Sequence, residues 1–178
     1  MKVAARDGKI IFIKPPKGAG NWGDDMSDHA IDARKLVFPG LAGFYERFSP
    51  YSYSFMRFAT GAVLVPHGVQ KVFYLPIGRY VDLIGQHGLP MPTLLAYLTY
   101  FTELVAALCL VLGLFTRIAA LMIGIEMLVI IIVFNWQFGY FWTNRGVEYA
   151  VLWLLLCIAI FFRGGGRYSL DHLIGKEF

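Results

Sequence analysis

The fold of this chain is decided by residues 93–136, which read TLLAYLTYFTELVAALCLVLGLFTRIAALMIGIEMLVIIIVFNW. Within this stretch, the only side chains charged at neutral pH are those of Glu103, Arg117 and Glu126. One bilayer crossing needs about 20 apolar residues in a helix, so the stretch is long enough for two crossings. The tight break at 113–116 therefore separates predicted membrane spans at 93–115 and 116–136.

Two further apolar segments flank this stretch and predict spans at 53–75, kinked at Pro66, and at 146–162. The whole chain is 57% hydrophobic and only 16% charged, whereas soluble domains are usually about 25% charged. We therefore predict an all-α integral membrane four-helix bundle at 51–178, in contact with the lipid bilayer. No basic stripe interleaved with aromatic residues suggests a nucleic-acid partner.

Residues 1–50 form a polar extension that we expect to be partly ordered or to lie on the membrane surface. Within it, residues 9–14 predict a short strand and residues 28–38 a short helix. The segment 38–53 mixes aromatic and charged residues, which is typical of a segment lying at the membrane surface.

The distribution of basic residues predicts the orientation of the spans. Residues 1–50 contain eight lysines and arginines, Arg117 lies in the turn between spans two and three, and three more basic residues follow span four. The opposite loops contain only Arg79 and Arg145. The positive-inside rule then places both termini in the cytoplasm.

Ionisable residues inside the predicted spans are the candidate functional residues. A charged side chain at the centre of a membrane helix costs roughly 2.5–3.5 kcal/mol, so such residues usually face the interior of a bundle. The six residues are Arg57, His67, Lys71, Glu103, Glu126 and Glu148. From the helical rise, His67 and Glu103 lie at a similar depth. Lys71 lies one turn farther out, where either Glu103 or Glu148 is a candidate partner.

Helical spacing places three of these residues on two facing stripes, and His67 lies beside the first stripe. One stripe contains Arg57, Gly61, Leu64, Gly68 and Lys71; the other contains Ala96, Tyr100, Glu103 and Ala107. Small residues allow membrane helices to approach closely, so we predict that spans one and two meet along these stripes.

The remaining ionisable residues are assigned structural or proton-handling roles. We expect Arg57 to reach the membrane surface along its aliphatic stem, and we place Arg117 in the same group. Glu126 has no evident cationic partner, so we expect it to be neutral unless another subunit supplies a cation. No second histidine lies at ligand spacing from His67 within the membrane, so no metal site is predicted.

The order of several short motifs resembles the DoxX family over about residues 53–173. The motifs are Arg57, His67-Gly68-x-x-Lys71, Gly88-Leu-Pro90, Glu103, Gly113-Leu-Phe-Thr116-Arg117, Glu148 and Gly164-Gly-Gly166-x-x-Ser169-Leu170-Asp171. The resemblance implies a four-helix, multi-pass protein of the bacterial inner membrane. Members are associated with thiosulfate:quinone oxidoreductase, with detoxification of catechols and quinones, and with complexes that handle oxidative stress.

The main functional hypothesis is a membrane subunit of a quinone-linked oxidoreductase or respiratory complex. His67, Lys71, Glu103 and Glu148 would bind a quinone headgroup, and histidine and carboxylate side chains are suited to proton transfer. The sequence contains no flavin or nicotinamide fold, haem motif or iron–sulfur cysteine set, so we predict no covalent cofactor. Electrons would come from a partner or from a small reductant, which favours a subunit over an autonomous enzyme.

Two alternatives stay open. The chain could be a non-catalytic scaffold or accessory subunit, with residues 1–50 docking other membrane or cytoplasmic subunits. It could also be a proton or small-solute transporter, which would need a homo-oligomer because four helices enclose little volume.

Overall fold

The computed structural model describes residues 2–6, 9–13 and 35–176. The chain divides into two compact units, Met1–Pro50 and Tyr51–Phe178. In the first unit, strand β1 (Lys2–Arg6) pairs antiparallel with strand β2 (Lys9–Ile13). The expected strand at 9–14 is thus observed as β2, whereas β1 was not anticipated. Most of the expected helix at 28–38 lies outside the described residues.

All regular structure described after residue 35 is helical. The helices are α1 (Ala42–Tyr74), α2 (Ile77–Gln86), α3 (Pro92–Phe101), α4 (Ala107–Leu112), α5 (Thr116–Val129), α6 (Glu148–Arg163) and α7 (Leu170–Ile174). A π-helical segment, Thr102–Ala106, joins α3 to α4, and another, Ile130–Asn135, extends α5. Short 3₁₀ turns lie at Pro39–Leu41, Trp136–Phe138 and Trp142–Asn144.

Two helices are long and apolar enough to cross a membrane. They are Pro92–Leu112, with 21 residues, and Thr116–Phe138, with 23 residues, and each buries only 33% of its most apolar window. A core helix of a soluble protein would be mostly buried, so this exposure favours lipid contact. These helices correspond to the predicted spans 93–115 and 116–136. The four-helix membrane bundle remains a prediction, because neither α1 nor α6 is among the helices found long and apolar enough to cross a membrane.

Two features of the first helical region differ from the sequence-based expectation. Helix α1 begins at Ala42, well before the predicted start of span one at residue 53. The helix continues across Pro66, as a helix kinked at a proline also does, so the kink predicted there stays a prediction. The loop after α1 contains an additional helix, α2, which turns the side chain of Ile84 into the interior.

The predicted glycine contact between spans one and two is confirmed. A Cβ atom on Gly68 would lie 2.5 Å from the backbone oxygen of Glu103, and one on Gly61 would lie 2.6 Å from that of Ala107. Both distances are far below van der Waals contact, so only glycine permits this approach. The close contact fixes where the π-helical segment lies against α1.

Arg57 corrects one prediction. Its side chain is only 2% exposed and does not reach outward to the membrane surface. Its guanidinium donates to the carbonyl oxygens of Leu110, Val111 (3.2 Å) and Tyr168 (2.7 Å). The last carbonyls of a helix lack intrahelical partners and attract cations, so Arg57 stabilises the end of α4.

The turn between α4 and α5 is also held by Asp171, which lies in α7. The Asp171 carboxylate accepts from the backbone N–H of Phe115 (2.8 Å) and Thr116 (2.9 Å) and from the Thr116 hydroxyl (2.7 Å). Asp171 thus caps the start of α5 from a distant part of the sequence. Arg117 caps the end of α6 by donating to the carbonyl oxygens of Phe161 (2.6 Å) and Phe162 (2.9 Å), which is a structural role.

Candidate functional site

The contact that organises the site is an ion pair between Lys71 and Glu103. Lys71 Nζ lies 2.6 Å from Glu103 Oε1, and both side chains are largely buried. Lys71 also donates to the Tyr80 hydroxyl at 3.4 Å, with its ammonium 4.6 Å from the centre of the Tyr80 ring. Of the two partners left open by the sequence, the structure brings Glu103 to Lys71.

Glu103 lies in the π-helical segment Thr102–Ala106. Such segments interrupt the regular helical ladder and often occur at functional sites. Glu103 is 4% exposed, and its second oxygen, Oε2, has no hydrogen-bond partner among the residues that the structure describes. One oxygen is thus held by Lys71, while the other is buried without a partner among the described residues.

A cavity of about 760 Å³, called here the central cavity, adjoins Glu103. Its walls come from α1, the π-helical segments, the loop before α6 and α6 itself. Its lining includes His67, Glu103, Met127, Asn135, Arg145 and Trp153. The cavity therefore combines a carboxylate, an imidazole, an amide and a guanidinium with apolar and aromatic surface, a composition typical of small-molecule sites.

His67 lines the central cavity and is exposed to solvent. Trp153 donates its indole N–H to the carbonyl oxygen of Thr60 at 3.2 Å, which fixes its ring against α1. The structure thus gives the cavity one rigid aromatic wall and one accessible imidazole.

Glu148 lies elsewhere. Its carboxylate accepts from the backbone N–H of Trp142 at 3.2 Å, so it closes the loop that leads into α6. Glu148 is not among the residues that line the central cavity. The four proposed ligand residues are therefore placed differently: His67 and Glu103 face the central cavity, Lys71 lies behind Glu103, and Glu148 stabilises a loop.

Sequence reasoning missed three residues near the site: Tyr80, Asn135 and Arg145. Arg145 had been counted only as a loop charge, yet it lines the central cavity. It has a left-handed backbone, with φ of 65°, in the loop between α5 and α6. A basic residue shortly after the aromatic segment 136–142 was the available signal. A loop has no helical periodicity, so the sequence does not indicate which way the Arg145 side chain points.

Tyr80 connects α2 to the ion pair. Burial raises the pKa of the Tyr80 hydroxyl, and the positive charge of Lys71 opposes that rise. The ring also lies 5.8 Å from the ring of Tyr100, whose hydroxyl donates to the carbonyl oxygen of Leu75 at 3.3 Å. Tyr80 therefore remains a neutral hydrogen-bond partner of Lys71 at physiological pH.

Comparison with known families identifies the domain that holds this site. The DoxX family model matches residues 53–136. The chain carries a DoxX domain. The resemblance based on the sequence motifs is thus confirmed, and the domain contains the Lys71–Glu103 pair, His67 and Glu126.

Two relatives cover most of the chain, including the DoxX domain. An uncharacterized protein of Haemophilus influenzae is 29% identical over 144 residues, which span 74% of this chain and 97% of the relative. An uncharacterized membrane protein of Mycobacterium tuberculosis is 29% identical over 141 residues, which span 72% of this chain and 84% of the relative. No solved structure matches the chain.

The DoxX match, the membrane relative and the two apolar helices agree on the class of this protein. It is a membrane protein with transmembrane helices. A protein of this kind contacts the lipid bilayer through the apolar side chains that its helices expose.

Proposed function

We propose that this chain is the membrane subunit of a quinone-linked oxidoreductase and that the central cavity binds the quinone headgroup. The observation that carries the proposal is the free Oε2 atom of Glu103. This buried acceptor borders a cavity that also contains His67 and Arg145.

The membrane arrangement that we propose has four crossings, with α1 and α6 added to the two apolar helices. Helix α6 exposes large apolar side chains at Leu152, Leu155, Ile158 and Phe162, which supports lipid contact along its length. Both termini then lie on one side, and the basic residues place that side in the cytoplasm of a bacterial cell with the protein in the inner membrane.

The residues of the central cavity fit a ligand with two carbonyl or hydroxyl groups on an aromatic ring. Glu103 Oε2 accepts from a hydroxyl, while the imidazole of His67 and the guanidinium of Arg145 can donate to an oxygen. Trp153 and Met127 offer flat and adaptable apolar surface. A bound quinone supplies redox chemistry coupled to proton transfer, which the side chains themselves lack.

The residues around Glu103 have distinct tasks in this proposal. Lys71 neutralises the charge on the Glu103 carboxylate, which makes burial of that carboxylate tolerable. Tyr80 holds Lys71 in place. Reduction of a bound quinone by two electrons would require two protons, so the exposed His67 would take protons from the surroundings and the Glu103 carboxyl would pass them to the reduced headgroup. The electrons come from a partner subunit or a small reductant.

Quinone binding can be measured through tryptophan fluorescence, because Trp153 and Trp142 both line the cavity. A short-chain benzoquinone should quench the emission of the purified chain in lipid nanodiscs with a saturable curve. Arg145→Gln should weaken binding roughly tenfold, as expected for loss of a hydrogen bond to a charged group. Arg79→Gln, the same change at an exposed arginine outside the cavity, is the matched control.

Saturable quenching that is equally strong in wild-type, Arg145→Gln and Glu103→Gln chains would place the ligand outside the central cavity. Quenching that rises linearly with the amount of quinone in the membrane would show partitioning into lipid and would refute the proposed site.

A second candidate is a non-catalytic scaffold. It is favoured by the structural use of Arg57, Arg117 and Asp171, each of which holds two segments of the fold together. In that case Glu103→Gln leaves the activity of the assembled complex unchanged, while removal of residues 1–50 releases the partner during purification from the native membrane.

A further inference from the structure

A second cavity lies between α2, α3 and α5 and has a volume of about 520 Å³. We call it the Glu126 cavity, after the one charged residue among the described residues that line it. The remaining polar side chains in its lining are those of Tyr80, Thr99 and Thr102, and all others are apolar. Such a space fits a small, largely hydrophobic molecule.

The carboxylate of Glu126 is unusual within this cavity. Both of its oxygens are buried, and no described residue places a donor within hydrogen-bonding geometry of them. The Thr99 hydroxyl is close enough to influence the carboxyl but makes no bond of normal geometry. Buried polar groups almost always have partners, so the missing partner points to a ligand.

The lysine and arginine residues of the first three predicted spans are already engaged elsewhere. Lys71 is paired with Glu103 at 2.6 Å, while Arg57 and Arg117 are bound by backbone carbonyl groups. Lys71 attracts an ionised Glu126 from a distance, but none of these residues is hydrogen-bonded to its carboxylate. A charge in an apolar interior is strongly unfavourable unless it is paired.

We propose that the Glu126 cavity binds a lipophilic amine. The protonated amine donates to the Glu126 carboxylate and balances its charge, and the hydroxyls of Thr99 and Thr102 accept its remaining N–H groups. The hydrophobic body packs against apolar residues such as Met122 and Phe134. This site is separate from the central cavity, and the inference goes beyond the quinone-linked function.

The test compares two probes of the same shape, naphthylmethylamine and naphthylmethanol, which differ in the charge of the polar group. Binding of each to the full chain in lipid nanodiscs is measured by equilibrium dialysis, with protein-free nanodiscs as the baseline for partitioning. The wild-type chain should bind the amine saturably and roughly tenfold or more tightly than the alcohol, as for other charge-assisted hydrogen bonds.

Variants then assign that preference to Glu126. Glu126→Gln should remove the preference for the amine while still binding the alcohol, which also shows that the cavity is intact. Glu148→Gln makes the same chemical change outside the cavity and should keep the preference. Met122→Trp fills the cavity and should abolish binding of both probes.

Two results would overturn the proposal. One is equal binding of the amine and the alcohol to the wild-type chain. The other is a preference for the amine that survives both Glu126→Gln and Met122→Trp. Neither result bears on quinone binding, because that measurement depends on Glu103 and Arg145 in the other cavity.

Discussion

Two polar regions of this protein differ in whether their buried polar groups have hydrogen-bond partners. Around the turn between α4 and α5, the two terminal nitrogens of Arg57 and both oxygens of Asp171 have partners in the backbone of distant segments, although Arg57 Nε has none among the described residues. Around the two cavities, Glu103 keeps one oxygen without a partner and Glu126 keeps both, counting the described residues only. We infer that polar groups with partners hold the fold together, whereas those without partners are available to ligands.

The strongest test of this comparison is to remove Asp171. Asp171→Ala leaves the buried N–H and hydroxyl of Thr116 without an acceptor, so we expect a loss of about 3–5 kcal/mol in unfolding free energy. The measurement is reversible unfolding in detergent. Asp82→Ala, at an exposed position on α2, is the control, and an equal effect of the two changes would contradict the distinction.

A smaller loss is expected when the close helix contact is disturbed. Gly68→Ala puts a Cβ atom 2.5 Å from the backbone oxygen of Glu103, so α1 must move away and we expect a loss of about 2 kcal/mol. Gly78→Ala is the matched control, because nothing lies within 4 Å of a Cβ atom there. Unchanged stability of Gly68→Ala would show that the helices separate freely.

The Lys71–Glu103 ion pair beside the central cavity should contribute less to the free energy of unfolding than the contacts of Asp171 or Gly68. Lys71→Met leaves Glu103 without its partner, and we expect lower expression and a coupling energy of about 1 kcal/mol, in the range of membrane interhelical contacts. A double-mutant cycle with Glu103→Gln measures it, and the double variant should recover part of the loss. Normal expression and unchanged thermal stability of Lys71→Met would contradict the pair.

The smallest effect is expected at Tyr80. Tyr80→Phe keeps the ring beside Lys71 and removes only a 3.4 Å hydrogen bond, so stability near neutral pH should change by less than about 0.5 kcal/mol.

Tyr80 should matter more in alkali. Because burial raises its pKa, the unfolded chain loses the proton first, and stability falls as pH rises through the unfolded value of about 10. Tyr80→Phe should flatten this fall in an alkaline unfolding series. An unchanged slope would show that Tyr80 ionises in the fold as it does in water.

The sequence predicted some parts of the fold closely. The two central spans differ from the helices Pro92–Leu112 and Thr116–Phe138 by a few residues at their ends, because apolar length and a break at Gly113 are local properties. The stripe of Gly61 and Gly68 was also predictable, since helical periodicity fixes which residues share a face. The start of α1 was missed because its aromatic, charged first turns have no uniform apolar character.

The candidate site was predicted less well, for a reason visible in particular residues. Depth along a helix placed Lys71 near both Glu103 and Glu148, and only packing chose between them. Arg57 was expected at the membrane surface, but its direction depends on α4 and on Tyr168, which lies far away in sequence. Arg145 lies in a loop, where no repeat gives a direction.

The sequence by itself determined that the chain enters a membrane, which helices are most apolar, and that α1 meets the helix containing Glu103. These properties follow from composition and from the helical repeat. Only the tertiary structure decided which charges are paired and which face cavities. Pairing depends on distances of a few ångströms between segments far apart in the chain, and no local pattern encodes those distances.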